Sequence, residues 1–249
     1  MENDSKVNTH GLMEKIKQRR IQWLKSESVI QCKTCLKYFK KNNNQLILKE
    51  LNKEWFCSQE CQNISDIKQK DKKDKLKTKQ IKLAIQKLPI RFKDKTIDNY
   101  NNPPQQIYQY INNPKSLLLA GNVGTGKTHL AVGLYKKLLE MDRKVKFIPS
   151  VEMLYDIRRN VTKDIDAAIN NYTKYEYLII DDIGAEKMTD WVKEIFYLII
   201  DRQYRDMKHI VITTNMSSEE MSSNLDYRVV SRLMEMGDVI KFNGKDNRL

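Results

Sequence analysis

Residues Gly121-Asn122-Val123-Gly124-Thr125-Gly126-Lys127-Thr128 fill every fixed position of the phosphate-binding pattern G-x-x-x-x-G-K-[ST]. The flanks decide what the match means. Before it, Ser116-Leu117-Leu118-Leu119-Ala120 is an apolar run short enough for a buried strand. After it, His129 to Leu139 places Leu130, Leu134 and Leu138 on one helical face. Strand, Gly-rich loop and helix in that order confine the chain to a phosphate-binding α/β fold. The glycines let successive backbone N–H groups turn inward onto phosphate oxygens. The helix N-terminus adds the positive field of its unpaired donors. Lys127 carries a mobile ammonium to the terminal phosphates, and the Thr128 hydroxyl can hold Mg2+. The bland alternative is a chance turn before a helix, and the flanking strand and helix weigh against it.

A second stretch suits the same site. Tyr177-Leu178-Ile179-Ile180 reads as a strand apolar on both faces, ending in Asp181 and Asp182. Two carboxylates there fit a metal-and-water site beside the loop, with Asp181 holding Mg2+ through water and Asp182 orienting and activating the attacking water. Many such enzymes carry Glu at the second position, so the shorter Asp calls for a different water position. His209-Ile210-Val211-Ile212 is a further strand, tipped by Thr213-Thr214-Asn215, and Asn215 is the candidate sensor of the terminal phosphate. Lys144 to Pro149 predicts another strand, with Ser150 capping the helix that follows. Residues 151–175 read as helical, with Arg158, Arg159 and Lys163 close together, and residues 190–206 as an amphipathic core helix. No histidine is assigned to catalysis.

The four cysteines, Cys32, Cys35, Cys57 and Cys61, all lie in the first quarter of the 249 residues. They form a C-x-x-C and a C-x-x-x-C pair separated by twenty-one residues. Each pair brings two thiolates close enough for one ion, and four thiolates close a tetrahedral shell around zinc. A segment this small has little core of its own, so metal would supply much of its folding energy. Plain reduced thiols are the alternative. Trp55 to Cys61 resembles the second half of treble-clef-like zinc modules, with Ser58 capping a helix whose first turn carries Cys61. Ahead of it, residues 11–26 have helical spacing that suits either packing on this module or docking to a partner. Residues 62–88 hold nine lysines against three aspartates and read as a basic helical linker, usually a solvated face, with contact to nucleic acid a second use. The net charge of +13 points to an anionic partner such as nucleic acid. No apolar run approaches a membrane span and no signal peptide opens the chain, so a cytoplasmic protein without a membrane partner is expected.

Residues 89–249 as a whole resemble the DnaC/DnaI/IstB family of AAA+ ATPases. The likeness rests on Gly121–Thr128 with His129, Ile180-Asp181-Asp182-Ile183-Gly184-Ala185-Glu186, Asp201-Arg202-Gln203-Tyr204, Thr213-Thr214-Asn215, Arg228-Val229-Val230-Ser231-Arg232-Leu233, Gly244-Lys245-Asp246-Asn247-Arg248 and the lead-in from Arg91 to Tyr100. It implies ATP with Mg2+ as the ligand of residues 121–129 and hydrolysis to ADP. It implies an AAA+ core with a five-stranded parallel sheet, its P-loop strand central, and a rudimentary lid, since 34 residues follow Asn215. It implies that Arg232 is a finger reaching a neighbour's nucleotide within a self-oligomer, that Arg228 can share that role, and that Arg248 is a second sensor on its own subunit. Read by themselves, these arginines are surface salt bridges, for example Arg232 with Glu235.

The organisation expected is a helix plus a four-cysteine zinc module over 1–61, the linker over 62–88 and the ATPase over 89–249. Within the family this shape belongs to helicase loaders and to transposition helpers. The leading expectation is an ATP-dependent loader that grips a DnaB-type replicative helicase through its N-terminal module and single-stranded DNA through its core. The alternatives are an IstB-like transposition helper acting on duplex DNA, and a helicase-binding inhibitor that uses ATP only as a switch.

Overall fold

A computed structural model describes residues 18–19, 29–34, 38–40, 59–160 and 164–244. The chain falls into two compact units, Met1–Gln80 and Ile81–Leu249. In the first, β1 (Val29–Gln31) and β2 (Tyr38–Lys40) pair antiparallel, with Ile30 opposite Phe39. Helix α1 runs over Gln59–Gln86, through the stretch read as a linker, and Cys61 falls in its first turn. The Thr34 hydroxyl donates to the Cys61 carbonyl at 2.7 Å, tying the turn after Cys32 to the start of α1. Cys35, Cys57 and Ser58 lie outside the described residues, as does the helix expected over 11–26 apart from Gln18 and Arg19.

The second unit is built on five parallel strands: β3 (Ser116–Gly121), β4 (Val145–Pro149), β5 (Tyr177–Ile183), β6 (His209–Thr214) and β7 (Gly237–Phe242). Their order across the sheet is β4-β5-β6-β3-β7. The middle strand is therefore β6. The P-loop strand β3 is interior but fourth of five, not central, because only β7 follows it on that side. No periodic signal marks β7 in the sequence, because Asp238 and Lys241 interrupt its apolar positions.

Parallel strands covered on both faces need apolar residues on both, and alternate residues here serve two separate cores. Leu118, Ile180 and Ile212 join Met153, Ile157, Ile195, Phe196 and Ile199 on one face. Leu117, Leu119, Ile179 and Val211 join Ile107, Leu130, Leu134 and Leu138 on the other. The second face is covered by α2 (Gln105–Asn112) and α3 (Lys127–Glu140), whose Leu130, Leu134 and Leu138 are the stripe read from the sequence. The first face is covered by α4 (Ser150–Asn160), α5 (Ile165–Thr173), α6 (Asp190–Arg205) and α8 (Tyr227–Met236), with short α7 (Ser218–Asn224) before α8.

Two local expectations change. The helical stretch after β4 is two helices, and Asp164 caps the second by accepting from Ala167 N at 2.9 Å. Ser150 is the first residue of α4, and its hydroxyl does not cap that helix but reaches across to the end of β5. Among the described residues no helix is long and apolar enough to cross a membrane.

Candidate nucleotide site

The strand order sets β5, β6 and β3 side by side, so their carboxyl ends open on one cleft. Ligands of open α/β sheets bind at such a switch in strand order. The cleft has a volume of ≈ 660 Å³. Val123, Gly124, Gly126, Lys127, Thr128 and His129 line it from the loop and α3, Asp182 from β5, Thr213 from β6 and Asn215 from just after that strand. Gly121, Asn122 and Thr125 are not among the lining residues. Thr125 braces the loop by donating to Asn122 O at 2.8 Å, and the Lys127 ammonium bonds Gly121 O and Asn122 O, each at 2.6 Å. Gly126 has φ +91°, and a Cβ there would lie 2.5 Å from the Tyr100 ring. The position thus demands glycine twice over, by conformation and by contact.

Asp181 is buried, and its carboxylate accepts from the Thr213 hydroxyl at 2.7 Å. Burial raises its pKa above the ordinary carboxylate value, while hydrogen bonds from Thr213 and Thr128 pull it down, the Asp182 charge pushes it up and the Lys127 charge pulls it down. The two residues suited to hold Mg2+, Thr128 and Asp181, are therefore in contact. Among the described residues no cluster of three or more His, Cys, Asp or Glu side chains forms a metal site.

Asp182 adopts φ +60°, unusual for a residue with a side chain. Hydroxyls hold it at both ends. Its N–H donates to Thr213 Oγ1 at 2.7 Å, and its carbonyl lies 2.9 Å from Ser150 Oγ. Ser150 Oγ is also 2.7 Å from Glu186 Oε2, and the Asn215 amide donates to the Asp182 carboxylate at 2.9 Å. Asn215 thus meets Asp182 inside the cleft. The contacts of Thr213 and Ser150 with the two aspartates escaped the sequence reading because they join strands that become neighbours only in the sheet.

The opposite wall comes from the lead-in segment: Arg91, Phe92, Lys95, Asn99, Tyr100 and Asn101. One stripe of α3 holds it. The buried Lys136 ammonium donates to Lys93 O at 2.6 Å and Lys95 O at 2.7 Å. His129 Nε2 lies 2.8 Å from both Thr96 O and Asn99 Oδ1, two acceptors that require the proton on Nε2. Between them Gly133 admits the lead-in backbone, since a Cβ there would be 2.8 Å from Ile97 N. Tyr100 closes the join by donating to Thr125 O at 2.7 Å. Burial lowers the His129 pKa, with Lys95 and Lys136 adding to the effect against the Thr96 bond, so the ring is neutral near pH 7.

The two arginines of α8 do not line this cleft. Arg232 Nη2 bonds Asp201 Oδ1 at 2.8 Å, and its guanidinium lies 5.1 Å from the Tyr197 ring and 5.5 Å from that of Tyr204. The ion pair is with Asp201 rather than Glu235, which accepts from the Tyr204 hydroxyl at 2.9 Å. Arg228 grips Asp226 with two bonds of 2.9 and 2.6 Å and stacks 4.5 Å over Tyr197. Arg248 and Lys163 lie outside the described residues.

A cleft of this form suits a nucleoside triphosphate, and the comparisons agree. The replicative helicase loader DnaC of Escherichia coli strain K12 is 29% identical over 132 residues, 52% of this chain and 54% of that protein. A protein named as ATP-binding in insertion sequence IS232 of Bacillus thuringiensis subsp. berliner is 23% identical over 147 residues, 57% of this chain and 58% of its own length. The chain thus spans about half the length of the curated relatives it matches. A crystal structure of the DnaC helicase loader superposes with a TM-score of 0.58 at 25% identity, covering 62% of this chain and all of that one. The five-stranded AAA+ core is the fold they share. The family described as IstB-like ATP binding protein matches residues 67–249, and this chain belongs to it.

Proposed function

We propose that the chain is a cytoplasmic AAA+ ATPase that delivers a DnaB-type replicative helicase onto single-stranded DNA. The observation that carries the reading is a hydrolytic set gathered at one cleft, with both α8 arginines outside it. An arginine finger for such a site would come from a second copy. ATP is the substrate, hydrolysed to ADP and phosphate. Mg2+, held by Thr128 and Asp181, would neutralise charge on the β and γ phosphates. Lys127 exchanges its bonds to the loop carbonyls for bonds to the phosphates, Asp182 orients the attacking water, and Asn215 reads the terminal phosphate through its bond to Asp182. Arg232, with Arg228 beside it, acts on the nucleotide of a neighbouring subunit, and Arg248 acts as a second sensor on its own.

The likeness to the DnaC loader supports the helicase as partner. The cysteine-bearing unit is the candidate grip, with one Zn2+ held by Cys32, Cys35, Cys57 and Cys61. Its support is the Thr34–Cys61 bond, which draws the first pair's turn onto the second pair's helix, and the burial of Cys32. For DNA the support is the exposed face of α4. There Val151 and Tyr155 are 50% and 65% exposed, Arg159 lies over Tyr155 and Arg158 stacks 4.6 Å over Trp191. Aromatic and arginine planes of this kind stack on unpaired bases.

The test mixes the full chain, ATP, a closed DnaB-type hexamer and a circular single strand without free ends. Helicase retained on the circle after a salt wash is expected with the wild type and not with Lys127→Ala. Equal retention with both proteins, or none with either, would sink the reading. The family match and the insertion-sequence relative favour a second reading, a transposition helper. Its signature is tighter ATP-dependent binding to duplex than to single strands.

A further inference from the structure

Helix α1 carries a feature that the nucleotide site leaves unexplained. Its sequence contains eight lysines, four acidic residues and no arginine. Every residue from Asp66 to Leu76 is exposed, so this part of the helix is solvated on all sides. Lys68, Lys72, Lys75 and Lys79 recur at steps of four, three and four residues, which keeps them within about 60° of one another around the axis. They line one shallow groove with Leu76 and with Asp71, which lies at the edge. Among the described residues none of the four takes part in an ion pair, although Asp71 stands one turn before Lys75. Four ammonium groups over about 16 Å with a single carboxylate among them leave a net positive stripe, whose self-repulsion a polyanion would relieve.

We infer that this stripe is a second nucleic-acid contact, which holds the phosphate backbone of single-stranded DNA without reading its bases. This rests on the DNA reading proposed above and adds a separate surface to it. The residue type argues for phosphate. Lysine is a point charge on a flexible stem, suited to successive phosphates in any register, and it lacks the planar fork with which arginine makes bidentate and stacked contacts. The same composition argues against a protein partner, because lysine is depleted at protein interfaces and the groove has no aromatic or arginine anchor. It argues against a membrane too, because exposed Ile64, Ile67, Leu76 and Leu83 do not share one continuous apolar face.

Two paired variants of the full chain test this with equal loss of charge. K72Q/K75Q strikes the stripe, and K70Q/K73Q strikes the other side of the same helix. Gln keeps helix propensity close to that of Lys, and circular dichroism checks that the helix persists. The readout is the affinity for a labelled oligothymidylate, with ATP, across a series of KCl concentrations. Two lost phosphate contacts should reduce the log–log salt slope by about 1.4 for a single strand. The stripe variant should show that reduction, the control should show little of it, and hydrolysis without DNA should be unchanged in both. Equal effects in the two variants, or none in either, overturn the stripe while leaving DNA binding by the core intact. A wild type that binds no single strand removes the DNA reading and the stripe together. A stripe variant that loses the helicase but keeps its salt slope also overturns the inference and assigns the face to a protein.

Discussion

Asp181 and Thr213 show how single residues set the chemistry of the cleft. Burial is the largest influence on the Asp181 carboxyl and raises its pKa, so the folded state holds a proton more tightly than the unfolded chain does. Asp181's own contribution to stability without Mg2+ is therefore fullest below the ordinary carboxylate pKa of about 3.9. It declines as pH rises from there to the raised folded value, and stays at the lower level above it. Asp181→Asn removes the buried charge at nearly constant shape. It should abolish hydrolysis yet raise the melting temperature at neutral pH, with the gain disappearing in acid; thermal denaturation at several pH values without metal checks this. Thr213 serves both aspartates through one hydroxyl. Thr213→Val leaves the Asp182 N–H without its partner, at roughly 1–3 kcal/mol for a buried group. The expected result is a kcat lowered by about tenfold or more with ATP affinity nearly unchanged, and recovery in Thr213→Ser; steady-state kinetics beside equilibrium nucleotide binding separate the two.

At the scale of elements, α3 does two jobs with two faces. Leu130, Leu134 and Leu138 pack into the sheet, while His129, Gly133 and Lys136 hold the lead-in that walls the cleft opposite β5. The bonds from Lys136 are charge-assisted and contribute roughly 1.5–3 kcal/mol. Lys136→Met should weaken ATP binding by about tenfold, since 1.4 kcal/mol is a factor of ten. Binding of inorganic tripolyphosphate should hardly change, because the loop itself is untouched. Calorimetry with both ligands decides it, and a parallel loss of both would mean that the helix merely unravels. Helix α8 poses a different question. Asp201 and two tyrosine rings engage Arg232, so finger action requires it to leave that pairing. Lys127→Ala should lose nucleotide, whereas Arg232→Ala should bind ATP without hydrolysing it. Mixing the two inactive proteins should restore measurable activity, since a finger supplied in trans contributes on the order of a thousandfold or more. Demonstrated co-assembly with no recovery at any ratio would leave Arg232 as a structural ion pair with Asp201.

For the molecule as a whole, division into two compact units implies two separable stabilities. The cysteine-bearing unit should carry one zinc per chain, measured by elemental analysis of freshly purified, reduced protein. Cys57→Ser should unfold that unit and leave ATP binding by the Ile81–Leu249 unit in place. In a calorimetric scan the lower transition should vanish while the ATP-stabilised one persists. Protein without bound metal that still shows both transitions would rule out a structural zinc.

How far the sequence reached depends on the range of the interaction. The strand, loop and helix around Lys127, the apolar strand ending at Asp181-Asp182, and the stripe on α3 are local patterns. Their periodicity and spacing alone made the P-loop α/β core legible, and ordered motifs extended that to the AAA+ family. Spacing also marked out the cysteine pairs, whose joint role awaits the metal measurement. The tertiary structure decided what periodicity cannot encode, namely which strands become neighbours. By placing β6 between β5 and β3 it brought Thr213 onto Asp181 across 32 residues of sequence, and by seating the lead-in on α3 it brought Lys136 to Lys93 across 43. It put the P-loop strand beside the middle of the sheet rather than in it, and it gave Arg232 to Asp201 instead of Glu235. Each of these contacts depends on the order of strands and the packing of helices on both faces, which take shape only when the whole core closes.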